Sequence, residues 1–141
     1  FARGGAVLFG DKDGRLVSID LAQNDWTDAM RWLRTQPVSA QVLADPEHAW
    51  RYGSSVRVAG ERDVFHEDVK DAAIAMYDRP VAVRVVERRA LTADFPSRSL
   101  AQLQQLARDH DLDYLVTDRQ YDLPLLYENA TFRVYALSPE P

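Results

Sequence analysis

Two aspartates occupy positions where an α/β protein can do chemistry. Asp45 closes the apolar run Gln41-Val42-Leu43-Ala44, and Asp118 closes Asp113-Tyr114-Leu115-Val116-Thr117. In an open α/β sheet, ligands collect outside the carboxyl ends of the strands. A carboxylate there can accept sugar hydroxyls, hold a cation or act as a general base. The plainer reading of both is turn chemistry: Asp45 precedes Pro46, and Asp118 can cap a following turn. The densest charged stretch, Glu61 to Asp71, carries Arg62 and Lys70. Those two cations could hold a phosphate or carboxylate at the rim of the strand ends, or belong to a solvated face whose ion pairs contribute little. A ligand site, if present, is therefore expected where the strand ends meet residues 61–71, with Asp45, Arg62, Lys70 and Asp118 as its candidates.

Other chemistries lack their motifs. No Gly-x-Gly-x-x-Gly follows a strand and no Gly-x-x-x-x-Gly-Lys-Ser/Thr occurs, so NAD, FAD and ATP are not expected to bind, and no cofactor is expected. The chain has no cysteine, which removes disulfides, thiolate ligands and thiol catalysis. His48, His66 and His110 do not fall in a metal-ligand spacing, so no metal site and no catalytic residue is assigned. Asp11-Lys12-Asp13-Gly14 has the start of a calcium loop, but the twelfth loop position is Ala22 where a glutamate is required. No serine sits in a Gly-x-Ser-x-Gly elbow. Trp50, Tyr52, Phe65, Tyr77 and Tyr121 could stack on a sugar, or simply fill the core. Asn129-Ala130-Thr131 matches a glycosylation sequon at a strand start.

The elements that would position these residues follow from periodicity. Apolar runs at 6–10 and 15–19 flank the Asp-Gly turn and predict an N-terminal β-hairpin. Asn24 or Asp25 caps a helix whose face is Trp26, Ala29, Met30 and Leu33, ended by Pro37. It leads into the strand that ends at Asp45. A short helix is expected at 47–52 and a second strand at 55–60. Two helices are favoured next, one through Phe65, Val69, Ala72, Ala73 and Met76, the other through Val81, Val85, Val86 and Arg89 with Pro80 in its first turn, although Asp63-Val64-Phe65 could extend a strand and Val81, Val83 and Val85 also fit one. Ser99 and Gln102 form a capping box before the stripe Leu100, Leu103, Leu106, Ala107 and His110. That helix leads into the strand ending at Asp118. Residues 121–129 then read as a crossing segment and 131–137 as a half-exposed strand. Helix–strand pairs in tandem imply right-handed crossovers. The expectation is one α/β domain over residues 1–141: a hairpin or linker at 1–23 and a Rossmann-like three-layer core at 24–137 with a mainly parallel sheet.

Composition bounds the function. A chain of 141 residues can bury a real core. Its net charge of −5 argues against a nucleic-acid or anionic-membrane surface, since both need clustered Lys and Arg. Lys12 and Lys70 are the only lysines against fifteen arginines, which reads as codon bias. No apolar run approaches the ~20 residues of a membrane span. The chain begins at Phe1, and a longer or processed protein is expected.

The order of Trp26, Trp32-Leu33-Arg34, Val42-Leu43-Ala44-Asp45-Pro46, Leu112-Asp113-Tyr114-Leu115-Val116, Leu126-Tyr127-Glu128-Asn129 and Phe132-Arg133-Val134-Tyr135 with Leu137 resembles a known arrangement. It is similar to the soluble C-terminal domain that follows the transmembrane helices of many bacterial multi-span membrane proteins, some of them glycosyltransferases of the GT-C architecture that use lipid-linked sugar donors. The resemblance covers residues 24–137. It implies a non-catalytic domain on the extracytoplasmic face, attached to a transmembrane region and contacting a glycan or protein acceptor. In such enzymes the catalytic acids lie on loops between transmembrane helices, so none is carried over to this chain. The competing expectation is a small soluble α/β enzyme or ligand-binding domain that acts at the strand ends.

Overall fold

The computed structural model describes residues 23–138, together with the backbone of two short strands, β1 (Val7–Leu8) and β2 (Ser18–Ile19). These two pair antiparallel, with Val7 opposite Ile19, as the expected hairpin requires. The Asp11–Gly14 turn and its calcium-loop alternative lie outside the described residues.

Helix α1 (Asp25–Arg34) starts where its cap dictates. The Asn24 side chain accepts from the Thr27 amide at 2.9 Å, and the Thr27 hydroxyl accepts from the Asn24 amide at 2.9 Å. Trp26, Ala29, Met30 and Leu33 are all buried. Strand β3 (Gln41–Leu43) follows, then α2 (His48–Tyr52), closed by Gly53 in the left-handed region at φ 88°. Strand β4 (Asp63–Val64), helices α3 (Asp68–Ala75) and α4 (Arg79–Thr92), a 3₁₀ turn (Phe95–Ser97) and helix α5 (Leu100–His110) come next. The predicted capping box of α5 is present: Gln102 N–H donates to Ser99 Oγ, and Ser99 N–H donates to Gln102 Oε1. Strands β5 (Tyr114–Thr117), β6 (Leu125–Glu128) and β7 (Arg133–Ala136) complete the chain.

The main sheet runs β4-β3-β5-β7-β6. β3 is parallel to both β4 and β5, and β7 is antiparallel to both β5 and β6. The fold is therefore mixed α/β, and the sheet divides evenly between the two pairing modes instead of being mainly parallel. The reason lies in the last thirty residues. The segment expected to cross the sheet is itself strand β6. A strand that turns straight back into its neighbour pairs antiparallel, because no helix intervenes to carry the chain across.

Alternate residues of the central strands feed two cores. Val42, Val116 and Val134 pack with α1, while Leu43, Leu115 and Tyr135 pack with Leu103, Leu106 and Ala107 of α5. The strand expected at 55–60 is instead a π-helical turn, Val56–Gly60. The Ser55 hydroxyl accepts from the Val58 amide at 3.1 Å and starts the turn. Val56, Ala59 and Gly60 are buried while Val58 is exposed. That is a helical pattern, and the alternating valines imitate a strand. Gly60 packs closely on α1: a Cβ there would lie 3.2 Å from Met30 Sδ, a tight approach, and 3.5 Å from Leu33 Cδ1, an ordinary contact.

Candidate binding site at the strand ends

Because β3 and β5 are parallel neighbours, the residues after them leave the sheet on one edge. Asp45 and Asp118 accordingly line one cavity of about 60 Å³, together with Arg51, Tyr52, Arg119 and Tyr121. A wider cavity of about 310 Å³ shares Asp45, Arg51, Phe95 and Pro96 and extends to Asp68 and Arg89. The Asp45–Arg51 ion pair thus lines both recesses, and of the charged 61–71 stretch Asp68 lines the wider one.

Asp45 makes the contact of its turn reading and an ion pair besides. Its Oδ1 accepts from the Glu47 amide at 2.9 Å, a turn contact forced by Pro46, while Oδ2 is bonded by Arg51. Its carbonyl accepts from the His48 amide at 2.9 Å and faces His48 Nδ1 at 2.7 Å. On the other side of the ring, Nε2 accepts from the Val56 amide at 3.2 Å. An acceptor at Nε2 and a donor at Nδ1 define the neutral tautomer. Burial also pushes His48 below its ordinary value of 6.5, against the raising influence of the Asp45 carbonyl and carboxylate. His48 is thus a structural post that joins the strand end, α2 and the π turn.

Arg51 lies over the Tyr52 ring, 5.4 Å from its centroid. Burial acts to lower its pKa, but Tyr52, Asp45 and Asp118 outweigh it and hold it above the ordinary value, so this cation is permanent. Tyr52 is wedged between Trp26 and Phe132, both at 4.8 Å between centroids. Its phenol is raised by burial first and by Asp118 second, and that of Tyr121 by burial. Both remain neutral hydroxyls at neutral pH. Asp118 is exposed, and its carboxylate makes no hydrogen bond to a described residue. The loop that carries it is pinned: the Thr117 hydroxyl accepts from the Arg119 amide at 3.0 Å, and the Tyr135 hydroxyl accepts from the Tyr121 amide at 3.1 Å. The cleft therefore offers a carboxylate open to solvent, two guanidinium groups and two phenols on a fixed frame.

Arg62 and Lys70 are placed elsewhere. Arg62 is buried and donates to the carbonyls of Glu61 at 2.7 Å, Arg34 at 2.6 Å, and Gln36. Gln36 precedes β3 and Arg62 precedes β4, so this arginine ties the amino edge of the sheet, opposite the cleft. Lys70 donates to Ser55 Oγ at 3.0 Å and lies 4.0 Å from Glu67. Both belong to internal bonding, and only Asp45 and Asp118 of the four candidates meet. Arg51 and Arg119 are the cations of the cleft. The one signal for them in the sequence is proximity, six residues after Asp45 and one after Asp118.

Lys70 borders a buried ionic cluster that sequence reasoning missed. Arg57 Nη1 donates to Asp71 Oδ1 at 2.7 Å, lies 3.6 Å from Glu67 Oε2, and its Nε lies 3.3 Å from Asp63. His66 bridges Asp68 at 2.9 Å and Asp71 at 3.3 Å. The Glu67 amide donates to Asp71 Oδ2 at 2.9 Å. Among the described residues, no group of three or more acidic or imidazole side chains is arranged to hold a metal ion.

The remaining candidates resolve into structure. Phe65 is core, and the His110 ring lies 4.7 Å from it at the end of α5. Trp50 and Tyr77 project into solvent. Asn129 of the sequon is engaged on both sides. It donates to the Asp25 carbonyl at 2.7 Å and accepts from the Phe132 amide at 2.8 Å, which makes it a turn residue. No protein-family model matches this chain, and no curated protein matches it.

Proposed function

We propose that this chain is a non-catalytic, extracytoplasmic domain of a multi-span membrane protein, such as a glycosyltransferase using lipid-linked sugars, and that it holds a glycan or protein acceptor in the strand-end cleft. The observation that carries the site is the convergence of Asp45, Asp118, Arg51 and Arg119 beside Tyr52 and Tyr121. A polyol needs acceptors, donors and aromatic edges in one place, and the cleft supplies all three. The membrane setting rests on the sequence resemblance. No helix among the described residues is long and apolar enough to cross a membrane. The two-sided core and the parallel β4-β3-β5 half support reading the domain as a Rossmann-like three-layer sandwich whose antiparallel half is β7 and β6. Asp118, without a hydrogen bond to a described residue, favours one second reading, a small α/β enzyme with that carboxylate as its base.

The test is substitution in the full-length protein. Arg51→Ala, Asp118→Ala and Arg119→Ala are each expected to weaken acceptor or partner binding about tenfold or more, the cost of a lost charge-assisted bond. Melting temperatures should stay within a few degrees, because these side chains are exposed. Arg62→Ala should do the reverse, lowering the melting temperature because it removes a buried side chain and leaves three part-buried carbonyls without its bonds. Full function in all three cleft variants would remove the strand ends from consideration. A turnover loss confined to Asp118→Ala with binding intact would favour the enzyme.

A further inference from the structure

Helix α4 is apolar on two opposite faces. Val81, Ala82, Val85 and Arg88 are half-buried, and Thr92 is buried, so this side packs on the domain. Arg88 anchors it, donating to the Phe65 carbonyl at 2.8 Å and lying over the Phe65 ring at 4.8 Å. At 3.6 residues per turn the opposite face is Val83, Val86 and Ala90, spaced i, i+3 and i+7. All three are exposed, Val86 to 68%. A surface helix ordinarily turns polar residues to that side. The apolar surface continues over the tip of the α3–α4 hairpin, where Ile74, Met76 and Tyr77 project and Tyr77 reaches 87% exposure. Arg79, Arg84 and Arg89 border this surface, all exposed. α4 carries four arginines against one glutamate, in a chain whose net charge is −5.

We infer that the outer face of α4 and the hairpin tip form a docking surface for an anionic lipid bilayer. The charge decides between occupants. Apolar side chains between arginines, with a tyrosine at the tip, match the boundary where acyl chains meet anionic headgroups. Two copies of the chain meeting on the same face would bring three arginines against three, with only Asp78 and Glu87 on each to compensate in part. The inference goes beyond the strand-end cleft: of the docking-surface residues only Arg89, at the border, reaches its wider recess, and neither the valines nor the hairpin tip lines it.

Sedimentation with large unilamellar vesicles tests it, using phosphatidylcholine alone and phosphatidylcholine mixed equally with phosphatidylglycerol. The chain is expected to partition onto the mixed vesicles and to be released by salt. Arg79→Gln and Arg84→Gln should each weaken partitioning about fivefold. Val83→Ser with Val86→Ser should weaken it about tenfold, with an unchanged thermal melt because both positions face solvent. Equal partitioning onto both vesicle types, or wild-type partitioning by the valine double variant, would overturn the inference. Light scattering that shows a dimer abolished by the valine substitutions, with no vesicle binding, would assign the surface to a second copy and overturn it too.

Discussion

Asp71→Ala is expected to destabilise the domain by about 3 kcal/mol, the low end of what breaking a buried ion pair costs. The carboxylate is buried and serves Arg57, His66 and the Glu67 amide at once. Its removal leaves a half-buried guanidinium and a buried N–H without their main acceptor, although Asp63 and Glu67 still face Arg57. Asp63→Ala breaks an ion pair on a largely exposed carboxylate, and the expected loss is under about 1 kcal/mol. Urea denaturation of the two variants measures the contrast. Equal losses would mean that the cluster is a surface feature.

The same cluster sets an acid limit. Burial alone would raise Asp71, but His66, Arg57 and the Glu67 amide outweigh it and hold it far below its ordinary value of 3.8. A depressed carboxylate contributes stability above its unfolded pKa and loses it as pH falls towards the folded value. His48 adds to this from higher pH. Below its ordinary 6.5 the unfolded chain takes a proton that the buried, Val56-bonded imidazole resists, so folding weakens on acidification. Glu67 opposes both. Burial raises it, so its contribution is greatest below its ordinary 4.5 and is lost as pH rises through the folded value. Denaturation midpoints are expected to fall from neutrality towards pH 4, and Glu67→Gln should steepen that fall by removing the opposing group.

Trp26→Ala is expected to cost about 3–5 kcal/mol, the range for an aromatic removed from a packed core. Trp26 is buried under Tyr52, Phe132 and His48, and its Nε1–H donates to the Ser54 carbonyl at 3.0 Å and hydroxyl at 3.1 Å. It therefore joins α1 to the α2 loop and to the start of β7. It also lines the cleft from below, so the variant should lose its ligand affinity together with its stability. Trp26→Phe keeps much of the volume and drops the Ser54 bonds. It should cost roughly 1–3 kcal/mol, the penalty for leaving the Ser54 acceptors unpaired in part-buried surroundings. Thermal unfolding followed by fluorescence orders the three proteins. A wild-type melt for Trp26→Ala would contradict the packing.

The elements legible in the sequence were those whose signals are local. α1 and α5 announce themselves by a cap and an apolar stripe, at Asn24 with Trp26 to Leu33 and at Ser99 with Leu103 to Ala107. β3 and β5 are continuous apolar runs that stop at an aspartate, and their parallel pairing followed from the helices before them. Non-local signals were hidden. Val56-Arg57-Val58 alternates like a strand, and the π turn shows only in the packing of Val56, Ala59 and Gly60 against α1. β6 hides behind Pro124, with mostly exposed side chains and an irregular register between Leu125 and Tyr127. Half of the cleft was legible, because a carboxyl-end aspartate is a positional argument. Its cations were not. Arg62 resembled an anion holder until its backbone partners were visible, and Arg51 in the short helix α2 and Arg119 in the bend after β5 carry no motif.

The strand-end cleft is proposed as the place where this domain takes its ligand. Titrating the isotope-labelled chain with a panel of neutral and acidic oligosaccharides, read by amide chemical shifts, tests it most directly. Saturable shifts concentrated in residues 44–52 and 117–121 are expected for at least one member of the panel, abolished by Asp118→Ala. Saturable shifts confined to the opposite edge around Arg62, or an identical response from the Asp118 variant, would contradict it.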